Sequence, residues 1–342
     1  MNDQSKDKTS RVTLHDVASA AGVSKSTVSR MLDERLPSSQ STRAVRVRQI
    51  ANDLGYVRDV SAASLRRGKT GMIGVIVPRL TDTVMAMLYE SLTRAAVRAG
   101  LFTIVAATED DPDAVRHSAD ILLRRGADGL ILATARTNDV VTRELAEKGV
   151  PYVLTLRTDE HSPASVGDDK LGGYLATRYL IDLGHRRIGL ISGPDYASSA
   201  IGRRQGYLQA MQEAGLEVDD KWIVGSSFSI DAGVDATDKL MSLKNRPTAI
   251  FSVNDNTAIG ALSKLAELGL RVPDDISLIG YNDVPVVSHL PVPLTSVRVP
   301  FDQIASGALE LLSMKMTDVE FPVRLATPTL IPRRSTKRWS QD

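Results

Sequence analysis

A short polar stretch near the start of the chain carries side chains that could recognise a nucleic acid. Residues 22–30 read GVSKSTVSR, so a glycine is followed by a cluster of basic and hydroxyl side chains. Lys25 and Arg30 donate the hydrogen bonds that guanine accepts, whereas serine and threonine hydroxyl groups both donate and accept. A catalytic loop or a phosphate-binding loop has a similar composition, so the role of this stretch depends on the elements around it.

Capping and turn signals place the stretch in the second of three short helices. Thr13 and Asp16 fit a capping box that begins a first helix, and Gly22 can take the positive φ of a tight turn. Ser24 is a suitable N-cap for the second helix, and apolar residues recur at helical spacing within residues 41–54. This pattern predicts a helix-turn-helix, whose second helix enters the major groove of DNA. The alternative is a three-helix bundle whose polar face is simply solvated.

The segment VTLHDVASAAGVSKSTVSRML at residues 12–32 resembles the N-terminus of the lactose-repressor and purine-repressor family of bacterial regulators. The resemblance implies that Lys25, Ser26 and Arg30 occupy the base-reading positions. It also implies phosphate contacts for Thr13, Thr27 and Ser29.

Residues 59–70 resemble the hinge helix of the same family, which forms when two copies sit side by side on DNA. Leu65 matches the leucine that wedges into the minor groove, and Arg66 also matches the family pattern. An ordinary linker leucine is the alternative for Leu65. Relatives often carry proline and asparagine where this chain has Arg58 and Asp59.

From residue 71 onward, apolar runs typical of strands alternate with amphipathic helical stretches. Strands are predicted at 72–78, 102–108, 129–134, 150–156, 187–193, 248–254 and 276–282, and helices at 87–100, 114–126 and 258–268. This alternation predicts parallel sheets with helices on both faces. Because the pattern restarts after Lys170, two α/β subdomains with a cleft between them are expected. Gly172 and Gly173 lie inside a helical pattern and indicate close packing.

The body resembles the same family, through segments such as RPTAIFSVND and LRVPDDISLIGYND, and this implies a periplasmic-binding-protein-like (type I) fold that binds a small-molecule effector. Asn254 and Asn282 end successive predicted strands, where α/β sheets bind ligands, and their amides suit hydroxyl groups. By position in the family, Arg203 is the arginine that clamps the effector. Asp168 matches an acidic residue near the subdomain crossover, and Phe228 matches an apolar wall.

Two departures from the family bear on the effector. Relatives usually carry aspartate at Asn282, and they often carry paired phenylalanines where this chain has Val84 and Met85. A flat purine held between aromatic rings is therefore disfavoured, and a sugar, sugar acid or polyol is expected. The fork of Arg203 leaves a phosphorylated or acidic ligand open.

The charge of the chain is unevenly distributed. Residues 1–70 hold 13 basic and 7 acidic residues, whereas the whole chain has a net charge of only +1, so a basic head precedes an acidic body. A basic head suits a polyanion. Since no apolar run is long enough to span a membrane and the start is polar, a cytoplasmic protein without a membrane partner is expected, located on the nucleoid when bound to DNA.

Several absences argue against catalysis and metal binding. The chain has no cysteine, which excludes disulfides and thiolate metal sites, and its five histidines lack metal-ligand spacing. We therefore expect no cofactor and no metal, and we place His185 in a surface turn. No phosphate loop or nucleophile motif is present, so an enzyme is disfavoured. The paired acids at 110–111 and 168–169 are predicted to be solvated.

The predicted fold is an N-terminal all-α helix-turn-helix headpiece followed by an α/β body of two parallel-sheet subdomains. The boundaries are a disordered arm at 1–10, the headpiece at 11–58, a hinge at 59–70, the body at 71–336 and a tail at 337–342. Because the tail lacks a leucine heptad, a homodimer is favoured over a tetramer. The resemblance implies a sequence-specific transcriptional regulator, a repressor that binds a near-palindromic operator under effector control. The alternatives are a soluble sugar sensor without a DNA role and an α/β enzyme.

Overall fold

The computed structural model describes residues 12–33, 39–57, 69–225, 227–314 and 321–340. The chain forms two compact units: residues 1–70, which contain the predicted headpiece, and residues 71–342, which contain the predicted body and tail. The hinge residues Arg58, Asp59, Leu65 and Arg66 lie outside the described residues. In the part of the chain that is described, no helix is both long and apolar enough to cross a bilayer.

The headpiece contains three helices, α1 (Leu14–Ala21), α2 (Lys25–Met31) and α3 (Thr42–Asp53). The predicted capping box is confirmed, because the Thr13 amide donates to Asp16 Oδ2 at 2.8 Å and the Asp16 amide donates to Thr13 Oγ1 at 3.4 Å. These bonds with Thr13 hold the pKa of the Asp16 carboxyl below its ordinary value. Gly22 has φ +66° and ends α1, which confirms the predicted turn. The apolar faces of the helices meet around buried Val17 and Val28.

The body is built from two six-stranded sheets, which define a first lobe and a second lobe. Its strands are β1 (Met72–Val77), β2 (Phe102–Ala107), β3 (Gly129–Leu132), β4 (Tyr152–Thr155), β5 (Ala164–Gly167), β6 (Ile188–Ser192), β7 (Ile223–Gly225), β8 (Ala249–Ser252), β9 (Ser277–Asn282), β10 (Thr295–Arg298), β11 (Val323–Ala326) and β12 (Thr329–Ile331). The first sheet has the order β11-β5-β4-β3-β1-β2, and the second has the order β12-β10-β9-β8-β6-β7.

Helices pack on both faces of each sheet. They are α4 (Thr83–Arg98), α5 (Pro112–Arg124), α6 (Val140–Glu147), α7 (Asp169–Asp182), α8 (Ser198–Glu213), α9 (Ile230–Met241), α10 (Asp255–Glu267) and α11 (Phe301–Ser313). The predicted parallel sheets are confirmed, with one exception among the described strand pairs, since β12 runs antiparallel to β10. The first lobe also contains α11 and β11, which follow most of the second lobe in the chain.

Three helices of the body begin earlier than their apolar periodicity predicts. The starts of α4, α5 and α10 precede the predicted starts at residues 87, 114 and 258. Each is capped by a polar side chain, Asp82, Asp111 or Asn254, which accepts a first-turn backbone amide at 2.9–3.1 Å. The first turns were missed because a cap is a local polar signal, whereas periodicity detects only the buried face.

The predicted close packing around Gly172 and Gly173 is confirmed. A Cβ at Gly173 would overlap the carbonyl oxygen of Arg203, and one at Gly172 would lie 2.7 Å from Tyr281 Cζ. On the facing helix, a Cβ at Gly206 would overlap the carbonyl oxygen of Lys170. Helices α7 and α8 therefore approach each other backbone to backbone, which brings Arg203 close to the start of α7.

His185 is buried, with 1% of its surface exposed, so its predicted place in a surface turn is wrong. Its Nδ1 lies 2.9 Å from Thr248 Oγ1, and its Nε2 lies 3.0 Å from Ser277 Oγ. The C-terminal residues cover it, because the Trp339 amide donates to the Leu183 carbonyl at 2.8 Å and the Trp339 ring lies 5.7 Å from the imidazole. The segment predicted as a tail from residue 337 thus packs on the body.

Burial of His185 should make the body sensitive to acid. Desolvation lowers its pKa from 6.5 to about 4, because the buried imidazole is held neutral. The unfolded chain therefore binds a proton at higher pH than the native chain does, and stability is lost as pH falls from about 6.5 to about 4, by up to about 3 kcal/mol. Urea unfolding of wild type and His185→Gln at pH 7.0 and pH 4.5 measures this loss.

The control for this prediction is His289→Gln, which changes an exposed histidine. His185→Gln should show a smaller loss of stability on acidification than wild type, even if it is less stable at both pH values. His289→Gln should keep the wild-type pH dependence. An unchanged acid sensitivity in His185→Gln would show that other groups are responsible.

Candidate functional site

The exposed face of α2 presents the polar side chains that the sequence singled out. Lys25, Ser26 and Arg30 are exposed, and Thr27 and Ser29 are partly buried. Val28 is completely buried and anchors the opposite face of the helix in the headpiece core. The amphipathic pattern of α2 therefore leaves two cations and an array of hydroxyl groups facing solvent.

Hydroxyl groups at the N-termini of α1 and α2 are held in place by their neighbours. Ser24 Oγ lies 2.9 Å from Ser26 Oγ and 2.8 Å from Thr27 Oγ1. Thr13 Oγ1 donates to Asp16 Oδ2 at 2.7 Å, and Thr13 itself is exposed. Helix N-termini carry partial positive charge, so these hydroxyl groups lie where a phosphate would be stabilised.

A shallow groove runs between α1 and the start of α2. It is lined in part by His15, Ser19, Lys25, Thr27 and Arg43. Of these, the sequence had singled out Lys25 and Thr27 but not His15 or Arg43. Arg43 lies in the first turn of α3, and the excess of basic residues in the headpiece was the one sequence signal that could have indicated it.

The body has a cavity of about 530 Å³ between its two lobes, counting the part that opens to solvent. The residues that line it combine arginines, carboxylates, amides and a few apolar side chains. They are Pro78, Arg79, Asp82, Val84, Met85, Asp110, Leu156, Arg157, Ser199, Arg203, Phe228, Asn254 and Asn282. A cleft that combines apolar walls with a few convergent polar groups is typical of a small-molecule site.

Most of the lining residues follow the carboxyl end of a strand. The lining residues of the first lobe come after β1, β2 and β4, and those of the second lobe come at the end of or after β6, β7, β8 and β9. Four of the predicted effector residues, Arg203, Phe228, Asn254 and Asn282, are brought together here. The cavity therefore lies at the carboxyl ends of the strands of both lobes.

Arg203 is buried and already paired inside the protein. Its Nε donates to Asp169 Oδ1 at 2.8 Å, its Nη1 donates to the Val253 carbonyl at 2.7 Å, and its Cζ lies 3.7 Å from the centre of the Tyr281 ring. Burial raises the pKa of the Asp169 carboxyl, and the guanidinium of Arg203 opposes that shift. These contacts hold Arg203 in one orientation in the wall of the cavity.

Asn254 caps helix α10 and also lines the cavity. Its Oδ1 accepts the Thr257 amide at 2.9 Å at the start of α10, and its Nδ2 donates to the Phe228 carbonyl at 3.0 Å. One N–H of this amide is left for a ligand. Asn254 thus positions Phe228, whose ring closes one wall of the cavity.

Asn282 lines the cavity with a buried amide that makes no hydrogen bond to another described residue. Its φ of +102° is unusual for a residue other than glycine and stores strain of about 1–3 kcal/mol. The next residue, Asp283, holds this turn through Arg298 Nε at 2.8 Å and Arg333 Nη2 at 2.6 Å. These contacts therefore hold the side-chain amide of Asn282, which has no hydrogen-bond partner among the described residues, in the wall of the cavity.

Asp255, next to Asn254, also stabilises the turn that contains Asn282 and Asp283. Its Oδ2 accepts the Val284 amide at 2.8 Å and its Oδ1 accepts the Ser296 hydroxyl at 2.7 Å. Burial raises the pKa of the Asp255 carboxyl to about 7, although both hydrogen bonds oppose the shift.

Asp168 lies outside the cavity lining. It is the N-cap of α7, where its Oδ1 accepts the Leu171 amide at 2.9 Å. The carboxylate that touches Arg203 is its neighbour, Asp169, and this carboxylate is buried. The prediction that this acidic pair is solvated is therefore wrong for Asp169.

An ion pair between Asp110 and Arg157 was missed by sequence reasoning. Arg157 Nη1 and Nη2 donate to the two carboxylate oxygens of Asp110 at 2.9 and 3.3 Å, and the Arg157 side chain is only 4% exposed. Asp110 was predicted to be a solvated loop acid, which is wrong. Both residues follow the carboxyl ends of strands, β2 and β4, and that position is the signal that could have found them.

Asp82 and Arg79 complete the charged lining in the first lobe. Burial raises the pKa of the Asp82 carboxyl, while the Val84 amide and the charge of Arg79 act in the opposite direction. The lining is therefore rich in groups that donate hydrogen bonds, with two carboxylates that accept them. Within the described ranges, no cluster of histidine, cysteine and acidic side chains could hold a metal ion.

Comparison with known proteins identifies both units. Residues 13–59 match the model described as bacterial regulatory proteins, lacI family, and residues 177–336 match a periplasmic binding protein-like domain. The chain is 32% identical to the HTH-type transcriptional repressor PurR of Vibrio vulnificus, over 95% of this chain and 99% of that protein. It is 33% identical to the ribose operon repressor of Escherichia coli K12, over 94% of this chain and 99% of that protein.

Solved structures agree with the sequence comparisons. The lac repressor dimer bound to operator and the anti-inducer ONPF superposes with a TM-score of 0.83 at 26% identity, covering 96% of this chain and all of that chain. These relatives are transcriptional repressors and not enzymes. The sugar-sensor and enzyme alternatives therefore lose their support. The chain belongs to the lacI family of bacterial regulatory proteins, and it is a DNA-binding transcriptional regulator with an effector-binding body.

Proposed function

We propose that the protein is a homodimeric repressor that binds a near-palindromic operator and is controlled by a sugar, sugar acid or polyol in the cavity of its body. Lys25, Ser26 and Arg30 would read bases, and Thr13, Thr27 and Ser29 would contact phosphates. The observation that best supports the DNA role is the exposure of Lys25 and Arg30 on a helix whose other face is packed in the headpiece core. The roles of Leu65 and Arg66 in a hinge helix stay predictions.

Dimer formation is supported by an apolar surface on the first lobe. Strand β2 is an edge strand, with Phe102 65% exposed and Ile104 37% exposed. Val97, near the end of the adjacent α4, is 67% exposed. Contiguous exposed apolar side chains on an unpaired edge strand are typical of a surface that another chain covers. Two headpieces would then read the two halves of a palindrome.

We expect Arg30→Ala to lose discrimination between operator sequences. An arginine that donates two hydrogen bonds to guanine contributes about 1–3 kcal/mol against a wrong base. Lys69→Ala is the matched control, because this exposed lysine would supply only sequence-independent attraction to the backbone. The operator is first selected from random duplexes by the wild-type protein, and affinities are then measured by fluorescence anisotropy.

The outcomes separate the possible roles of the headpiece. Arg30→Ala should bind the selected operator and the variants changed at the base pair that Arg30 reads with nearly equal affinity, whereas Lys69→Ala should bind all sequences more weakly by a similar factor. A duplex that contains half of the palindrome should bind less tightly than the full site. Wild-type discrimination by Arg30→Ala would contradict the base-reading role, and failure to select any sequence would contradict the proposed function.

The effector class is supported by the polar lining of the cavity. A free amide at Asn282, the remaining N–H of Asn254 and the hydroxyl of Ser199 suit a ligand with many hydroxyl groups. Val84 and Met85 provide apolar walls but no aromatic sandwich. The name of the ribose operon repressor, a relative of this chain, agrees with a sugar-related ligand.

We expect Asn282→Ala to weaken effector binding about 5- to 30-fold, because a hydrogen bond to a buried amide is worth about 1–2 kcal/mol. Thermal shift with D-ribose, D-gluconate and D-mannitol as first probes, followed by other sugars, sugar acids and polyols, identifies the ligand. A ligand at a hundred times its dissociation constant stabilises the body by about 2.7 kcal/mol.

Asn282→Asp distinguishes neutral from acidic effectors. A carboxylate at this position should strengthen the binding of a neutral diol and weaken the binding of a sugar acid, since like charges repel in a partly buried site. If no compound in the panel raises the melting temperature, or if Asn282→Ala binds the effector as wild type does, the assignment of this cavity is wrong.

A further inference from the structure

Tyr196 belongs to the second lobe, where it packs against the apolar cluster of Ala197, Ala200 and Val253, but its hydroxyl and its ring also contact charged side chains of the first lobe. It lies in the loop between β6 and α8, and it is not among the residues that line the cavity. Its hydroxyl donates to Asp110 Oδ2 at 3.4 Å. Asp110 lines the cavity and belongs to the first lobe, so Tyr196 contacts the cavity wall from the opposite lobe.

The guanidinium groups of two first-lobe arginines lie close to the Tyr196 ring. The Cζ atom of Arg136 lies 4.0 Å from the ring centre, and the Cζ atom of Arg157 lies 5.7 Å from it. Cations this close to an aromatic face are attracted by the negative face of the ring. Arg136 also donates to the Asp110 carbonyl at 3.3 Å. The ring is therefore part of the same charged cluster as the Asp110–Arg157 ion pair.

Two hydrogen bonds donated by backbone amides also join the lobes at the same place. The Thr137 amide donates to the Tyr196 carbonyl at 3.0 Å, and the Thr158 amide donates to Ser198 Oγ at 2.8 Å. Each donor belongs to the first lobe, and each acceptor belongs to the loop or helix that follows β6. Opening of the cleft on this side must break both bonds.

We infer that Tyr196 is a positioning residue that latches the two lobes together without an effector and orients Asp110 and Arg157 toward the cavity. The latch consists of Tyr196, Arg136 and Asp110. Because Asp110 faces both Tyr196 and the cavity, a ligand hydroxyl that binds this carboxylate acts on the latch directly. The role of the latch in regulation rests on the proposed function, whereas the latching of the two lobes does not depend on it.

Hydrogen exchange of the Thr137 and Thr158 amides in the full-length protein, without DNA or ligand, measures opening of the latch. Tyr196→Ala should accelerate exchange at both amides about fivefold or more, which is the effect expected from losing one cation–aromatic contact. Tyr196→Phe keeps the ring and should fall between wild type and Tyr196→Ala. Arg136→Ala should resemble Tyr196→Ala, and Arg136→Lys, which keeps the cation, should recover part of the protection.

Two controls separate a latch from a general loss of stability. Tyr174→Phe removes a tyrosine hydroxyl that donates to Glu213 within the second lobe, so exchange at Thr137 and Thr158 should not change. Exchange at Val75, inside β1, should stay at the wild-type rate in every variant. In the double variant Arg136→Ala/Tyr196→Ala, the accelerations should be less than multiplicative, because the two residues act on one contact.

The inference is overturned if Tyr196→Ala leaves the two cross-lobe amides as protected as in wild type, or if Val75 exchanges faster by the same factor. Independent, multiplicative effects of Arg136 and Tyr196 would also overturn it. Operator selection by the wild-type protein tests the proposed function separately, so failure of the latch and failure of DNA binding are distinguishable.

Discussion

Replacing Arg203 by methionine should lower the free energy of unfolding by about 3–5 kcal/mol, because it leaves the carboxylate of Asp169 buried without its partner. Arg203 also donates to the Val253 carbonyl and covers the Tyr281 ring, so the variant loses these contacts together with its ion pair to Asp169. The same variant should lose its response to the effector, since Arg203 lines the cavity. Urea unfolding at pH 7 measures the first effect.

The matched control is Arg178→Met, which removes the arginine of an exposed ion pair with Asp182 on α7. Exposed pairs of this kind contribute less than about 1 kcal/mol, so this variant should unfold nearly as wild type does. The double variant Arg203→Met/Asp169→Leu should regain much of the lost stability, because an apolar pair often replaces a buried ion pair at little cost. Equal losses in Arg203→Met and Arg178→Met would show that burial of the pair is energetically unimportant.

Gly206→Ala should destabilise the body by about 3 kcal/mol through overpacking between α7 and α8. A Cβ at this position would overlap the carbonyl oxygen of Lys170 and would lie 2.5 Å from the amide nitrogen of Tyr174. Both are backbone atoms, so no change of rotamer can make room, and the two helices must separate. Because Arg203 lies one turn earlier on α8, effector binding should also weaken. Thermal and urea unfolding report the loss of stability.

Gly225→Ala is the control for this second prediction. Gly225 lies in β7, has ordinary φ, and a Cβ there would meet nothing within 4 Å. Its replacement should leave stability within about 0.5 kcal/mol of wild type. A Gly206→Ala protein with the same unfolding midpoint as Gly225→Ala would show that the helices separate without cost, and that their close approach does not position Arg203.

Fold class and the location of the cavity were predictable because their signals are local. Alternating strand and helix patterns, the capping box at Thr13 and the glycines of α7 are each read within a few residues. Strands β5 (ASVG) and β12 (TLI) were not predicted because neither contains an apolar run like that of β3, which also has four residues but reads GLIL. The carboxyl-end rule then indicated Asn254 and Asn282 without knowledge of any contact.

By itself, the sequence determined a basic helix-turn-helix head and an α/β body, and it predicted a ligand site at the strand ends of the body. Only the tertiary structure decided which charges meet. Asp110 pairs with Arg157, which lies 47 residues later in the chain, and Asp169 pairs with Arg203, which lies 34 residues later. Asp168, in contrast, caps the helix that begins at the next residue. It also decided that His185 is buried beneath the C-terminal residues. The physical reason is that propensity and capping act between near neighbours in the chain, whereas ion pairing and desolvation depend on distance in space.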